Sequence, residues 1–188
     1  AIEERPYVRH GDRGYIARIV RPVTIDASPV PAIIEMHGGT WCFGERTANG
    51  PVVENIARRG VCVVSIDFRC PPDAVYPASI RWLKAHAAEF GSRPDLVGVM
   101  GSSSGGHLAI LSSIRPDDER YAAITSNETA AIDADVPYIV ALWPVICPLQ
   151  RHQYLQSESS SHDSGRPTAI TLDAGDRYWG NVSAMAEG

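Results

Sequence analysis

Short apolar runs of strand length alternate along this chain with longer stretches of helical spacing. The runs at 31–36 and 61–66 are almost continuously apolar, which is typical of strands buried on both faces of a sheet. The stretches at 46–59 and 77–90 repeat apolar residues at helical intervals, and a glycine follows each of them, as is common at a helix end. The alternation predicts an α/β fold in which a mostly parallel central sheet carries helices on both faces.

The remaining segments fit the same layout. Period-two alternation at 14–21 predicts a half-exposed strand, 96–100 is expected to be a central strand, and 136–147 a fourth apolar strand. The polar, serine-rich stretch 150–167 is expected to form a loop or lid, and residues 169–172 resemble a further short strand.

The composition limits the class of protein. The 188 residues, 44% of them apolar and 21% charged, suffice for one domain with a sizeable core and exclude a disordered chain. A net charge of −5 argues against a nucleic-acid partner, because phosphate binding requires a basic face. The longest apolar run, 136–149, is interrupted by Pro144 and Pro148 and is shorter than the about 20 residues of a membrane helix. We therefore expect a soluble protein that does not span a membrane.

The cysteines favour a reducing compartment. The four of them, at 42, 62, 70 and 147, form no C-x-x-C pair and have no histidine at zinc-finger spacing. No basic start followed by an apolar stretch precedes the first predicted strand. We expect reduced thiols in a cytoplasmic protein that uses no metal and no organic cofactor. The acidic triplet at 117–119 could bind a cation, although an exposed turn is the simpler interpretation.

The sequence GSSSG at 101–105 has the G-x-S-x-G pattern and stands directly between a predicted strand and a predicted helix. In this setting a serine sits on a tight turn that exposes its hydroxyl, and glycines two residues to either side permit the close approach of the backbone. Ser103 is therefore the predicted nucleophile, and the N–H of Ser104 at the helix start would face a developing oxyanion. A glycine-rich structural turn is the alternative.

A second glycine motif, HGGTW at 37–41, directly follows the strand at 31–36. Acyl transfer passes through a tetrahedral intermediate whose negative oxygen requires N–H donors held in place. Paired glycines let backbone amides turn inward without a side chain blocking the substrate. The motif alone fits a plain turn equally well, but its order before GSSSG favours acyl-transfer chemistry.

Three motifs in order resemble those of one known family. HGGTW, SIDFRCPPDAVYPAS and VGVMGSSSGGHLAIL are similar to the motifs of hormone-sensitive-lipase-like carboxylesterases of the α/β-hydrolase fold. Asp67, Phe68 and Arg69 stand in the place of the family's D-Y-R, and the resemblance covers most of the chain from Gly14 onward. The HGG-x-W form is also similar to kynurenine formamidases and small acetyl-esterases, which widens the substrate class to formamides.

The resemblance implies a role for each motif residue. Ser103 would be the nucleophile, and His37 would brace its loop instead of acting as a base. The oxyanion hole would be formed by Gly38, Gly39, Thr40 and Ser104. Gly38 would make the turn of the loop, and the other three residues would donate their backbone N–H groups to the oxyanion.

Other side chains near these motifs are weaker candidates. Trp41 and His107 could line the substrate pocket together with Trp179, although packing within the core explains such side chains as well. Glu35 lies in an apolar strand and should be paired, in a structural role near the oxyanion loop.

Two departures from the family pattern affect the catalytic machinery. Ser102 replaces the aspartate that usually precedes the nucleophile. Triads of this fold follow the chain order serine, acid, histidine, but only 85 residues follow Ser103. Asp176, after the strand-like 169–172, is the best internal candidate for the acid, and no histidine follows it. We expect the acid and the histidine to lie outside this chain, which resembles the family without its C-terminal third.

The histidines downstream of the nucleophile are expected to have other roles. His107 would pack on a helix face or meet solvent, while His152 and His162 would be solvated side chains of a polar loop.

Together these features predict a serine hydrolase that cleaves small carboxylic esters through an acyl-enzyme. Residues 1–148 would form the α/β-hydrolase core and 149–188 a lid or insertion. The expected partner is a small-molecule ester or amide, with a homodimer left open. The alternatives are a formamidase, amidase or lactonase that uses the same groups, and a non-catalytic ligand receptor of the same fold, as the gibberellin receptors of plants are.

Overall fold

The alternation of strands and helices is present in the computed structural model of the chain, which describes residues 1–23, 29–68, 76–118, 128–159 and 166–187. The strands are β1 (Ile2–His10), β2 (Arg13–Val20), β3 (Ala32–Met36), β4 (Cys62–Ile66), β5 (Val97–Ser102) and β6 (Ile139–Leu142). The helices are α1 (Gly50–Ala57), α2 (Tyr76–His86), α3 (Ser104–Ile114), α4 (Pro148–Ser159), α5 (Arg166–Trp179) and α6 (Val182–Glu187).

The six strands form one sheet in the order β1-β2-β4-β3-β5-β6. The pairs β4–β3, β3–β5 and β5–β6 are parallel, while β1–β2 and β2–β4 are antiparallel. The predicted mostly parallel sheet is therefore confirmed. In the register of β3 with β5, Met36 lies opposite Gly101, so the two glycine motifs begin side by side at the carboxyl edge of the sheet.

The core occupies both faces of this sheet. Every residue of β3, β4 and β5 is buried, as the near-continuous apolar runs predict. Successive strand residues point to opposite faces, and α1 packs on one face while α2 and α3 pack on the other. The first face carries Ile33, Val53, Ala57, Val63 and Met100. The second carries Ile34, Val64, Ile80, Leu83, Val99 and Leu108.

Two of the predicted elements are shorter than expected. The helix predicted at 46–59 spans only Gly50–Ala57, because the residues before it belong to the loop that follows β3. The strand predicted at 136–147 is reduced to the four residues of β6, which are largely exposed. Pro137 and Pro144 flank it, and a proline cannot donate a hydrogen bond within a strand.

The C-terminal segment differs most from the expectation. Residues 148–159 form α4, although 150–167 is predicted as a loop or lid, and the strand-like residues 169–172 lie inside α5. The role of 149–188 as a lid or insertion stays a prediction. Among the described helices, none is long and apolar enough to cross a membrane.

Candidate active site

Ser103 occupies a strained turn between β5 and α3. Its φ of 54° and ψ of −119° lie where residues with a side chain are rarely found, and such strain is characteristic of functional sites. The Ser103 N–H donates to the Leu142 carbonyl oxygen at 3.0 Å, and the Ser103 carbonyl oxygen accepts from the Val145 N–H at 3.1 Å. The end of β6 therefore holds the turn in place, with the Ser103 residue partly exposed.

The glycines around Ser103 are required by close backbone contacts. A methyl group on Gly101 would collide with the carbonyl oxygen of Gly105, and one on Gly105 would collide with the carbonyl oxygens of Met36 and His37. The start of α3 consequently packs directly on the end of β3. This contact brings Ser103 next to the loop that leaves β3.

That loop, residues 37–49, turns its backbone with several positive φ angles. Gly39, Thr40 and Trp41 have φ values of 126°, 50° and 62°. The Gly39 carbonyl oxygen accepts from the Phe43 N–H at 2.8 Å, whereas no backbone hydrogen bond of the described loops is donated by Gly39 or Thr40. Within the described residues, these two N–H groups therefore have no backbone acceptor.

The loop and Ser103 are close enough for both to contact one carbonyl group. A methyl group built on Gly38 would lie 3.3 Å from Ser103 Cβ and 3.2 Å from the Ser102 carbonyl oxygen. Ser104, the first residue of α3, directs its N–H out of the helix N-terminus, where the helix dipole favours negative charge. The structure thus brings together Ser103 and all four residues predicted for the oxyanion hole.

His37 stabilises the loop through its own ring. Its Nδ1–H donates to the Gly38 carbonyl oxygen at 2.7 Å, and the ring stacks on Phe68 with centroids 4.2 Å apart. The side chain is buried. These contacts support the bracing role that the resemblance implies for His37, and Phe68 of the D-F-R segment supplies the stacking surface.

An arginine that the sequence analysis did not single out fastens the same loop. The backbone N–H and the guanidinium of Arg46 donate to the two carboxylate oxygens of Asp67 at 2.9 and 2.8 Å. The same guanidinium also pairs with Glu4 of β1, and this hydrogen bond lowers the pKa of Glu4. Asp67 therefore anchors the loop 37–49. The sequence alone does not reveal this role, because Arg46 and Asp67 meet only in the folded chain.

The aromatic candidates form one cluster beside the loop. Trp41 is buried and contacts His107 of α3 as well as Tyr178 and Trp179 of α5, with ring centroids 5.4–5.7 Å apart. The next residue, Cys42, donates its thiol hydrogen to the Ala174 carbonyl oxygen of α5 at 3.3 Å. The loop 37–49 thus contacts the C-terminal helix α5 directly.

His107 is held neutral within this cluster. Its Nδ1 accepts from the indole N–H of Trp41 at 3.3 Å, and its side chain is buried. Burial lowers the pKa of His107 from 6.5 to about 4, because the charged form is poorly solvated there. A histidine engaged in this way packs the site and is a poor base for Ser103.

The neutral state of His107 predicts a pH dependence of stability. In the unfolded chain the imidazole binds a proton near pH 6.5, whereas in the folded protein it does so near pH 4. The stabilisation that the neutral His107 side chain gives to the folded protein is therefore fully present above pH 6.5. It is lost as the pH falls towards 4. We expect wild type to lose about 2–3 kcal/mol more unfolding free energy than a His107→Gln variant between pH 7.5 and 4.5, measured by urea denaturation. Equal losses in the two proteins would contradict this assignment.

The expectations for Asp176 and His152 rest on a wrong assignment of local structure. Asp176 lies within α5, not after a strand, and its side chain is 65% exposed. His152 lies on α4 and is buried, not solvated, with Nδ1 3.7 Å from Asp176 Oδ1. The pair joins α4 to α5, and His162 lies outside the described residues.

The other charged candidates have structural partners. The Asp117 side chain is exposed and lies 3.5 Å from Arg81, and Asp118 pairs with Arg115 at 3.8 Å; Glu119 lies outside the described residues. Glu35 is paired, as expected, since its Oε1 accepts from Asn49 Nδ2 at 2.7 Å. In the part of the chain that the structure describes, no cluster of histidine, cysteine or acidic side chains could hold a metal ion.

Sequence comparisons identify a family and several relatives of this chain. The BD-FAE family model matches residues 19–174. The probable carboxylic ester hydrolase LipM of Mycobacterium tuberculosis is 25% identical over 89% of this chain and 44% of its own length. The carboxylesterase NlhH of the same species is 31% identical over 62% of this chain and 39% of its own length. The chain therefore spans less than half the length of the curated relatives it matches.

Solved structures show the same fold. An esterase of Thermogutta terrifontis, Est2, aligns with a TM-score of 0.65 and 26% identity over 77% of this chain and 53% of its own chain. A bacterial heroin esterase aligns with a TM-score of 0.68 and 24% identity over 95% of this chain and 54% of its own. The predicted α/β-hydrolase fold and the resemblance to carboxylesterases are confirmed.

Proposed function

The chain belongs to the BD-FAE family, and from its site we propose that it is a serine hydrolase that cleaves carboxylic esters of small molecules through an acyl-enzyme on Ser103. The observation that carries the proposal is the close approach of the Gly38 backbone to Ser103. A methyl group placed on Gly38 would lie 3.3 Å from Ser103 Cβ. An electrophilic carbonyl carbon at Ser103 Oγ would then have its oxygen beside the loop amides.

The proposed reaction has two halves. Ser103 Oγ bonds to the acyl carbon as its proton passes to a base, and the carbonyl oxygen gains negative charge. The N–H groups of Gly39, Thr40 and Ser104 bind that oxygen. When the tetrahedral intermediate collapses, the alkoxide leaves with a proton from the same base. Water then attacks the acyl-enzyme by the reverse sequence and releases the acid.

We expect the base to come from residues other than the histidines that the structure describes at the core of the fold. Nδ1 of His37 donates to the Gly38 carbonyl oxygen while the ring stacks on Phe68, and Nδ1 of His107 accepts from the Trp41 indole. His86 contacts the Trp82 carbonyl oxygen, and His152 pairs with Asp176. Since the chain spans 44% of its relative LipM, we propose that the triad acid and histidine are supplied by sequence outside these 188 residues.

Two finer expectations belong to the same proposal. The described cysteines, Cys42, Cys62 and Cys147, are free thiols, and burial raises the pKa of Cys62 to about 11. Free thiols support a cytoplasmic location. A homodimer stays a prediction.

Substrate turnover tests the function directly. The whole protein should hydrolyse p-nitrophenyl acetate and butyrate, and act at least about tenfold more slowly on a matched N-formyl anilide, because the amide leaving group is poorer. Initial rates at equal substrate concentrations give the comparison. Faster cleavage of the formamide would show that the protein is a formamidase and not an esterase. Tight binding of a substrate without turnover of either compound would indicate a receptor.

A further inference from the structure

A buried carboxyl group stands directly below the two glycine motifs. Glu35 lies in the central strand β3, two residues before His37, and its side chain has no exposed surface. A carboxyl group in such surroundings is unfavourable unless hydrogen bonds compensate for its lost hydration. The hydrogen-bond partner of Glu35 therefore helps to explain why a glutamate lies at this position.

Asn49 provides that partner and links it to a third residue. Its side-chain Nδ2 donates to Glu35 Oε1 at 2.7 Å and to Ser102 Oγ at 3.2 Å, one N–H for each acceptor. Asn49 precedes α1 at the N-cap position, where asparagine ordinarily caps the helix with its side-chain oxygen. No such cap bond forms here, so the side chain is directed to Glu35 and Ser102.

The three residues stand at the boundaries of the catalytic elements. Glu35 precedes the oxyanion loop, Asn49 is the last residue of that loop, and Ser102 is bonded to the nucleophile, Ser103. Glu35 also lies opposite Met100 in the β3–β5 register, and Ser102 lies two residues further along the same face of the sheet. The hydrogen bonds thus close the loop at its base and join it to the nucleophile strand.

We propose that Glu35, Asn49 and Ser102 are positioning residues that fix the distance between Ser103 and the oxyanion amides. This inference rests on the proposed esterase function. The network would act through the backbone, since its side chains join the end of the loop to the ends of β3 and β5. Its benefit is greatest in the transition state, when the oxygen carries most charge and the N–H distances matter most. Loss of the network is therefore expected to lower kcat and leave KM nearly unchanged.

The surroundings of Glu35 distinguish this role from simple core packing. Glu35 Oε2 and the hydroxyl of Ser65, its neighbour in β4, are both buried and have no hydrogen-bond partner within the described residues. An apolar pair at these two positions would fill the same space without unsatisfied polar atoms. The polar residue at 35 is thus better explained by its bond to Asn49 than by stability.

The test is steady-state ester hydrolysis by a small set of variants of the whole protein. Asn49→Ala removes the central donor and should lower kcat by about 10–100-fold, with KM within threefold of wild type. Glu35→Ala should behave in the same way. Glu35→Gln keeps an acceptor for Asn49 and should retain kcat within about fivefold. Asn55→Ala is the matched control, because Asn55 is an exposed asparagine of α1 whose side chain contacts the Pro51 carbonyl oxygen and the exposed Arg58, away from Glu35 and Ser102.

Folding and function are separated by titrating active sites. The concentration of competent enzyme is measured from the burst of p-nitrophenol, and kcat is expressed per burst equivalent, so that partial unfolding does not lower it. A kcat per site within twofold of wild type for Asn49→Ala would overturn the positioning role, as would a failure of Glu35→Gln to exceed Glu35→Ala. If wild type itself shows no turnover that depends on Ser103, the esterase proposal fails and this inference fails with it.

Discussion

Replacing Ser103 by alanine is expected to lower kcat for short p-nitrophenyl esters by about 10⁴–10⁶-fold. In the proposed mechanism the Ser103 hydroxyl oxygen forms the covalent bond, whereas the proposed oxyanion amides belong to the backbone and persist in the variant. KM should change little for the same reason. The measurement is initial-rate hydrolysis, with circular dichroism to establish that the variant is folded.

Ser113→Ala is the matched control for that experiment. Ser113 lies on the same helix α3, and its hydroxyl donates only to the Ala109 carbonyl oxygen at 2.8 Å. The control should keep kcat within twofold of wild type. A Ser103→Ala protein that retains more than about a tenth of the wild-type rate would show that another group is the nucleophile.

Gly105→Ala should disrupt both the fold and the site. The new methyl group would collide with the carbonyl oxygens of Met36 and His37, which are backbone atoms at the end of a central strand and cannot rotate away. The start of α3 must therefore move away from β3. Overpacking of this kind costs about 1–3 kcal/mol, which corresponds to a fall in Tm of about 2–12 °C for a chain of this size. The displacement also separates Ser103 from the loop, so kcat/KM should fall by at least about 10²-fold.

Gly175→Ala provides the comparison at another helical glycine. A methyl group on Gly175 of α5 would meet no atom within 4 Å, and alanine favours the helix by about 0.5–1 kcal/mol over glycine. This variant should melt at or slightly above the wild-type temperature and keep full activity. Equal Tm values for wild type and Gly105→Ala would contradict the close packing of α3 on β3.

The central strands could be predicted because their environment is uniform. Residues of β3 and β4 are buried on both faces, so their sequences are continuously apolar and leave little choice of structure. The edge of the sheet gives a weaker signal. β1 contains charged residues and Pro6, and it is a strand because it pairs with β2 and buries Tyr7, whose hydroxyl donates to the Asp67 carbonyl oxygen.

The C-terminal helices could not be recognised for a related reason. The residues at 169–172 include Ile170 and Thr171, which favour strands locally. Their helical state is stabilised by tertiary contacts made further along, where Ala174 is buried and Tyr178 and Trp179 pack on Trp41. Local preference is overridden by packing that depends on the placement of the loop 37–49.

The residues of the site differ in the same way in whether the sequence alone could identify them. Ser103, Gly38 and Gly39 occur in short motifs whose chemistry depends on adjacent residues, so the sequence is sufficient to propose them. Asn49 and Arg46 act on residues that are distant in the chain, namely Ser102 and Asp67. No local pattern marks them, because their contacts arise only when the ends of β3, β4 and β5 meet at one edge of the sheet.

The most direct test of the account is the identity of the residue that a fluorophosphonate modifies. The whole protein is treated with the reagent, digested and analysed by peptide mass spectrometry. We predict a single adduct on Ser103, prevented by prior incubation with a short-chain ester that acylates the site. An unmodified Ser103, or an adduct on a different serine with loss of activity, would contradict the assignment of Ser103 as the nucleophile.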